Sequence, residues 1–188
     1  MHHLIADATS LRILWHEFQR LYREYRTGVA ADLPPLPIEY GQYAAHQAET
    51  LDERRTQQQL DYWVAKLRGA PALLELPTDR PRPAVQTFRG ASYRTGLSSE
   101  LTSAVLGFAR QEQTTPYVVL LAAFQLLLAR YSGQSDVVVG TPVTVRSSPE
   151  LEHMVGLFVN TVVSRADLSG DPTLAELVAA ARADTLAA

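Results

Sequence analysis

Two proline-rich segments constrain the fold of this chain more than any other feature of its sequence. The first runs from Leu33 to Pro37, and the second runs from Leu76 to Pro83 with three prolines among residues 77–83. Proline lacks the backbone N–H donor and disfavours helical geometry in the residue before it, so both segments must run as extended connections. We therefore expect helical segments on both sides of the first connection and a subdomain boundary at the second.

Apolar spacing of three and four residues predicts the helices between these connections. The first predicted helix runs from Ser10 to about Gly28, and the second closes at Gly69 and Pro71. Ser98 or Ser99 is expected to cap a third helix, and a fourth runs from Pro116 to Tyr131. Since this fourth helix is apolar almost all round, we expect it to be buried. The last helix opens at Pro172 and Thr173.

Three segments rich in β-branched or aromatic residues predict strands. They are residues 88–97, residues 136–145, which Gly140 and Pro142 interrupt, and residues 158–164. Because helices and strands interleave, the sequence predicts an α/β or α+β fold with a mixed sheet. The order of the elements does not separate these two classes.

Composition excludes several classes of function. The chain of 188 residues is 46% hydrophobic, which is enough for one domain with a sizeable core, and its net charge of −3 gives no nucleic-acid footprint. Without cysteine it forms no disulfide and has no thiolate chemistry. It has no apolar run of the ~18 to 20 residues that span a bilayer and no signal-peptide pattern. These features predict a soluble, cytoplasmic protein that binds no membrane.

The segment from His2 to Ser10 contains the residues that point most directly to chemistry. His2 and His3 are adjacent, and Asp7 follows after three further residues. A neutral imidazole can take a proton from an attacking amine or hydroxyl near neutral pH, while the carboxylate can cap the following helix or pair with an arginine. Arg89, Arg146 and Arg165 are the candidates for that pairing.

Two other interpretations of this segment are weaker. An expression-tag remnant would explain the two histidines, but it would not supply Asp7, Ser10 and the amphipathic helix that follows. A metal site would have at most three ligands here, without cysteine, and the other histidines lack ligand spacing. We therefore predict no metal.

Several motifs resemble the condensation domains of nonribosomal peptide synthetases. His2 to Ala8 resembles the family signature His-His-x-x-x-Asp-Gly, with Ala8 in place of glycine, and residues 155–165 resemble a second motif, Val-Gly-x-Phe-Val-Asn-Thr ending in Arg. Residues 149–152 and 76–81 are similar to the family as well. A third motif, Tyr-x-Asp-Tyr-Ala-x-Trp, is matched in part by residues 40–46, where Gln42 and His46 replace Asp and Trp.

The resemblance implies part of a two-lobed fold like that of chloramphenicol acetyltransferase. Such domains place the active site in a tunnel between their lobes. Residues 1–75 would then form the end of the N-terminal lobe, and residues 76–188 the first part of the C-terminal lobe. The chain would be a fragment that lacks most of the first lobe, and we expect it to be inactive alone.

The resemblance also implies an activity: formation of a peptide bond between a donor thioester and an acceptor amine. Donor and acceptor peptidyl carrier proteins deliver both substrates on phosphopantetheine, an adenylation domain lies adjacent, and the domain itself binds no cofactor. His3 is the catalytic candidate, expected to point into a crevice where the two substrates meet. His2, Asp7 and Arg165 are supporting residues. Asn160 is a further one, because an amide on an apolar strand needs a hydrogen-bond partner and is expected to tie down a loop or face a polar channel.

Three alternatives stay open at this stage. The chain could be a non-catalytic carrier-recognition or recruitment domain of the same fold, or an epimerisation domain. It could also be an inactive remnant, which would expose the apolar faces of the helix from Leu11 to Tyr25 and of the strand from Phe158.

Overall fold

The protein combines helices and strands, as the sequence predicts. A computed structural model describes all 188 residues and contains six α-helices, two β-strands and one short 3₁₀ helix. The helices are α1 (Ala8–Thr27), α2 (Tyr40–Thr50), α3 (Glu53–Leu67), α4 (Ser99–Gln111), α5 (Pro116–Ser132) and α6 (Leu174–Ala187). The strands are β1 (Asp136–Thr144) and β2 (Val159–Asp167), and the 3₁₀ helix is Pro149–Leu151.

Local capping signals determine where most helices begin and end. The Asp7 carboxylate caps α1 by accepting from the N–H of Ser10, and Gly28 ends the helix with a φ of 74°. Ser98 and Thr115 cap α4 and α5 in the same way through their hydroxyls. These ends agree with the sequence-based prediction because caps act on groups within three residues.

The two strands form an antiparallel pair. The N–H of Val145 donates to the carbonyl of Phe158 at 2.8 Å, and the N–H of Leu168 donates to the carbonyl of Ser135 at 2.7 Å. The pairing therefore runs in opposite directions along the chain, in a two-stranded sheet. Two of the three predicted strands, those at residues 136–145 and 158–164, are confirmed. β1 runs through Gly140 and Pro142 without the predicted interruption.

One predicted strand is absent, and one helix was not predicted. Residues 88–97 form no strand; Phe88 has a φ of 54° and its side chain is exposed. A strand needs a partner for its backbone groups, and β-favouring composition does not supply one. In addition, α2 forms a separate helix, which the sequence pattern did not predict.

The burial predicted for α5 is correct on one side only. Val118, Val119 and Ala122 pack with Ala109 of α4 and with the α6 residues 177, 178 and 181. The opposite side of α5, including Phe124 and Leu127, is exposed. No single helix has the length and apolar character needed to cross a bilayer; α4 and α5 reach that level only as a pair, bent by 106°.

The chain divides into two compact units. Met1–Ala65 and Pro142–Val162 form the first unit, and Lys66–Thr141 and Val163–Ala188 form the second. The first has a small core of Leu151, Met154 and Phe158, with Ile38, Tyr43 and Val145 against it. The core of the second is the packing of α4, α5 and α6. The assignment of residues 1–75 and 76–188 to two lobes stays a prediction.

The two regions that would reveal an inactive remnant differ from each other. Along α1 the apolar side chains are exposed, and Trp15 has 61% of its surface accessible. Phe158, in contrast, is completely buried. The remnant hypothesis predicts exposure of both regions; α1 shows it, and the strand shows it only in its first residues, Val159 to Thr161.

Candidate functional site

Asp7, which lies shortly after the two histidines in the sequence, is the centre of a buried hydrogen-bond network. Only 2% of the surface of Asp7 is exposed, and its Oδ1 accepts from the N–H of Ser10 at 2.7 Å. Oδ2 accepts from the N–H of Phe158 at 3.2 Å. One carboxylate thus caps α1 and also holds the segment that leads into β2.

Arg146 is the arginine that pairs with Asp7. Its Nη2 lies 3.1 Å from Oδ1 and 3.3 Å from Oδ2 of that carboxylate. Its Nη1 donates to the carbonyls of Leu151 and Met154, and the guanidinium lies 4.1 Å from the centroid of the Phe158 ring. Asp7 therefore serves both as a helix cap and in an ion pair, the two roles that the sequence pattern allows.

Ser10 connects this ion pair to the backbone, a role that the sequence did not predict. Its Oγ lies 2.7 Å from Asp7 Oδ1 and 2.8 Å from the carbonyl oxygen of Gly156, and its single proton can be donated to one of them at a time. The same oxygen accepts from the N–H of Gly156 at 3.0 Å and from Arg146 Nη2 at 3.1 Å. The available signal was a small polar residue in the first helical turn, which predicts little beyond capping.

The surroundings of Asp7 favour its charged form. Burial opposes ionisation, but the N–H and hydroxyl of Ser10 and the guanidinium of Arg146 outweigh it and lower the pKa of Asp7 to about 2. The carboxylate is therefore ionised at neutral pH and keeps its partners there.

The two histidines have different hydrogen bonds. Nδ1 of His2 lies 3.1 Å from the N–H of Leu4 and accepts from it, so in the neutral ring the proton sits on Nε2. Nδ1 of His3 lies 3.1 Å from the carbonyl oxygen of Ala6, which can only accept. Nδ1 of His3 therefore carries the proton, and Nε2 of the neutral ring has a free lone pair. Of the two, only the Nε2 of His3 can act as a base.

His3 lies on the surface, and the crevice expected around it stays a prediction. A cavity of about 620 Å³ in the first unit is lined by residues other than His3. They come from one side of α1 and from the segments that face it: Thr9, Arg12, Ile13, His16, Glu17, Arg20, Leu33, Pro34, Thr144, Arg146, Glu152 and His153. Arg146 is thus the member of the Asp7 network that reaches this cavity.

Arg165 and Asn160 do not join the Asp7 network. Arg165 donates through Nε and Nη2 to Asp136, at 2.9 and 2.7 Å, and through Nη1 to the carbonyls of Lys66 and Arg68. Asn160 is exposed, and its Oδ1 accepts from the N–H of Thr161 at 2.8 Å. Asn160 thus lies on the surface where β2 begins, and its role in tying down a loop or facing a polar channel stays a prediction.

The chain belongs to the Condensation domain family, whose pattern matches residues 1–188. It is 45% identical to one of the proteins that make up linear gramicidin synthase in Brevibacillus parabrevis, over 188 residues, which is all of this chain and 2% of that protein. It is 47% identical to phosphinothricin tripeptide synthetase PhsB of Streptomyces viridochromogenes over 178 residues, which is 95% of this chain and 15% of that protein.

Solved structures support the same family. The X-domain from teicoplanin biosynthesis superimposes with a TM-score of 0.88 at 28% identity, covering 100% of this chain and 43% of that one. A four-domain nonribosomal peptide synthetase bound to AMP and glycine gives a TM-score of 0.80 at 29% identity, covering 99% of this chain and 14% of that one. The chain thus spans less than half of the solved relatives and a small part of the curated ones.

Proposed function

We propose that this chain takes part in peptide-bond formation between a carrier-bound aminoacyl or peptidyl thioester and a carrier-bound aminoacyl acceptor. The observation that carries the proposal is the hydrogen bond from His3 Nδ1 to the Ala6 carbonyl, which leaves Nε2 free to accept a proton. The reaction type follows from family membership. The hydrogen bonds and the ion pair of Asp7 anchor the loop that carries His3.

In the proposed reaction, His3 is the only group of the protein that carries a proton. The acceptor α-amino nitrogen attacks the thioester carbon, and the proton that it loses passes to His3 Nε2. The C–S bond then breaks, and the released thiolate takes this proton to become a thiol. A neutral amine is already nucleophilic, so positioning, which can supply ~7 to 11 kcal/mol, contributes more than proton transfer.

The partners in this proposal are donor and acceptor peptidyl carrier proteins and an adjacent adenylation domain. The solved four-domain synthetase, which was bound to AMP and glycine, supports an assembly of this kind. The domain itself binds no cofactor in this proposal, because phosphopantetheine arrives on the carriers. A cytoplasmic location is part of the same proposal.

A second candidate function is protein recruitment without condensation. The teicoplanin X-domain, whose TM-score is 0.88, has also been solved in a complex with OxyB. The exposure of His3 and its absence from the cavity lining agree with this alternative. A recruitment domain would tolerate the loss of the His3 imidazole.

An assay of dipeptide formation tests the proposed function. The 188 residues are tested alone and in a chimera, in which they replace the matching segment of a condensation domain from linear gramicidin synthase. Donor and acceptor carriers loaded with amino acids are supplied, and products are identified by mass spectrometry. We expect dipeptide from the chimera and none from the chain alone.

Three other outcomes of this assay would contradict the proposal or the expectations that go with it. Inversion of the donor α-carbon without amide formation would indicate an epimerisation domain. Binding of the carriers by a chimera that forms no product would favour recruitment. Rapid turnover by the isolated chain would overturn the expectation that these residues need the rest of a condensation domain.

A further inference from the structure

Gly156 lies where a side chain has no room. A Cβ atom at this position would lie 2.4 Å from Cε2 and 2.5 Å from Cδ2 of Tyr40, and 2.9 Å from Cε2 of Phe158. The backbone N–H and carbonyl of Gly156 both bond to the Ser10 hydroxyl. Gly156 is therefore held between a hydroxyl that bonds its polar groups and an aromatic ring that covers its Cα.

Tyr40 lies across the same segment that Asp7 and Ser10 bind. Its ring meets the Phe158 ring edge-on, with centroids 5.5 Å apart and an angle of 74°. Its hydroxyl donates to the carbonyl of Leu157 at 3.4 Å, a long hydrogen bond, so the ring contributes most of the contact. Tyr40 opens α2, where a capping box between Glu39 and Gln42 fixes the first turn.

We propose that Tyr40 is a positioning residue for the histidine loop and acts through Gly156. Its ring presses residues 156–158 against α1, so that Gly156 meets Ser10 and the N–H of Phe158 meets Asp7. Asp7 directly follows Ala6, whose carbonyl accepts the proton of His3 Nδ1. The consequence for catalysis rests on the proposed function, whereas the consequence for His3 does not.

The partly matched motif of residues 40–46 contains two tyrosines, Tyr40 and Tyr43, that lie in one aromatic cluster with Phe158. Tyr40 and Tyr43 contact each other, and each contacts Phe158. The Arg146 guanidinium lies over the Phe158 ring at 4.1 Å. The aromatic cluster and the ion pair therefore share Phe158, which couples α2 to the loop.

Nitrogen-15 NMR of the His3 imidazole in the 188-residue chain tests the positioning directly. In the unchanged protein with a neutral imidazole, we expect Nδ1 to be protonated and Nε2 to be unprotonated. Tyr40→Ala and Gly156→Ala are expected to shift both nitrogen resonances toward the average of the two tautomers. Tyr40→Phe keeps the ring and should leave the resonances unchanged.

A double-mutant comparison in the dipeptide-forming chimera tests the route through Gly156. Each single change, Tyr40→Ala or Gly156→Ala, is expected to lower kcat about tenfold with little change in KM, because it misplaces His3 rather than a substrate. The double variant should also lose about tenfold, since the methyl group of Gly156→Ala acts by displacing the Tyr40 ring, which Tyr40→Ala has already removed. A loss near a hundredfold would mean that the two residues act independently and would refute the route.

The two readouts separate the proposals. If the His3 resonances of Tyr40→Ala matched those of the unchanged protein, the positioning role of Tyr40 would be refuted, even with dipeptide formation by the chimera. A chimera without dipeptide formation would refute the proposed function, while the NMR comparison would still decide the role of Tyr40. If Gly156→Ala does not fold, the comparison of Tyr40→Ala with Tyr40→Phe gives the same answer for His3, because the partly exposed Tyr40 side chain can be shortened without introducing a clash.

Discussion

Arg146 and Arg165 make similar bonds in different surroundings. Each guanidinium bonds one carboxylate and two backbone carbonyls, and that of Arg146 also bonds the Ser10 hydroxyl. The side chains of Arg146 and Asp7 are 8% and 2% exposed, whereas those of Arg165 and Asp136 are 25% and 32% exposed. If the arginine is removed, water can hydrate Asp136 more readily than the more deeply buried Asp7, so the two ion pairs carry different energetic weight.

The comparison also bears on function. The buried pair includes the residue that follows Ala6, the hydrogen-bond acceptor of His3, whereas the partly exposed pair joins β1 to β2 and to the end of α3. We therefore expect changes at Arg146 to affect the histidine loop and changes at Arg165 to affect the stability of the second unit.

The largest expected effect is that of Arg146→Met. Removal of the cation leaves the Asp7 carboxylate buried without its charge partner and takes a donor from the carbonyls of Leu151 and Met154, so the free energy of unfolding should fall by about 3 to 5 kcal/mol. Urea unfolding followed by circular dichroism measures this change. Arg165→Met is the matched control, and equal losses in the two variants would refute the distinction based on burial.

The second expected effect is a dependence of stability on acid. Because the pKa of Asp7 is lowered to about 2, its contribution is complete above the unfolded-state pKa near 4 and is lost as pH falls through 2. The contribution at neutral pH is about 2 kcal/mol. Urea unfolding between pH 2 and 6 should show a shallower decline in Asp7→Asn, and parallel curves for the two proteins would contradict the pKa assignment.

A smaller effect is expected for Arg165→Met. The chain loses the bidentate contact with Asp136 and the bonds to two carbonyls, but all of these groups can be hydrated in part. The shift in the urea midpoint should be less than about half of that for Arg146→Met. High salt should weaken the Arg165 contribution more than that of Arg146; the opposite order would contradict the exposure of this pair.

The smallest effect is expected for Asn160→Ala. Asn160 is exposed and bonds only to the next residue's N–H, so the free energy of unfolding should change by no more than about 0.5 kcal/mol. Asn160→Asp serves as a matched control that retains an acceptor. A loss as large as that of Arg165→Met would show that the amide has a partner beyond Thr161.

The sequence predicted the local features of the site better than its long-range contacts. The cap at Asp7 and the end of α1 at Gly28 follow from residues close in sequence. Arg146 lies 139 residues from Asp7, and three arginines were equally acceptable partners until the fold brought one of them there. Ser10 and Gly156 were missed for the same reason, because their bonds join the two ends of the first unit.

Composition was a poor guide to burial. Residues 88–97 have strand-like composition but lack a partner strand, and α5 is apolar on a side that nothing covers in these 188 residues. Asn160 lies in a motif of apolar residues, yet β2 begins at the surface. Apolar content indicates which residues can be buried, while contacts between distant segments determine which are.

The most direct test of the account is the rate of dipeptide formation in a single turnover by the chimera carrying His3→Ala, compared with His2→Ala. Only His3 has a free Nε2 lone pair in its neutral form, so His3→Ala should reduce the rate about a hundredfold, and His2→Ala by about tenfold or less. An undiminished rate in His3→Ala, or equal losses in both variants, would contradict the assignment of His3.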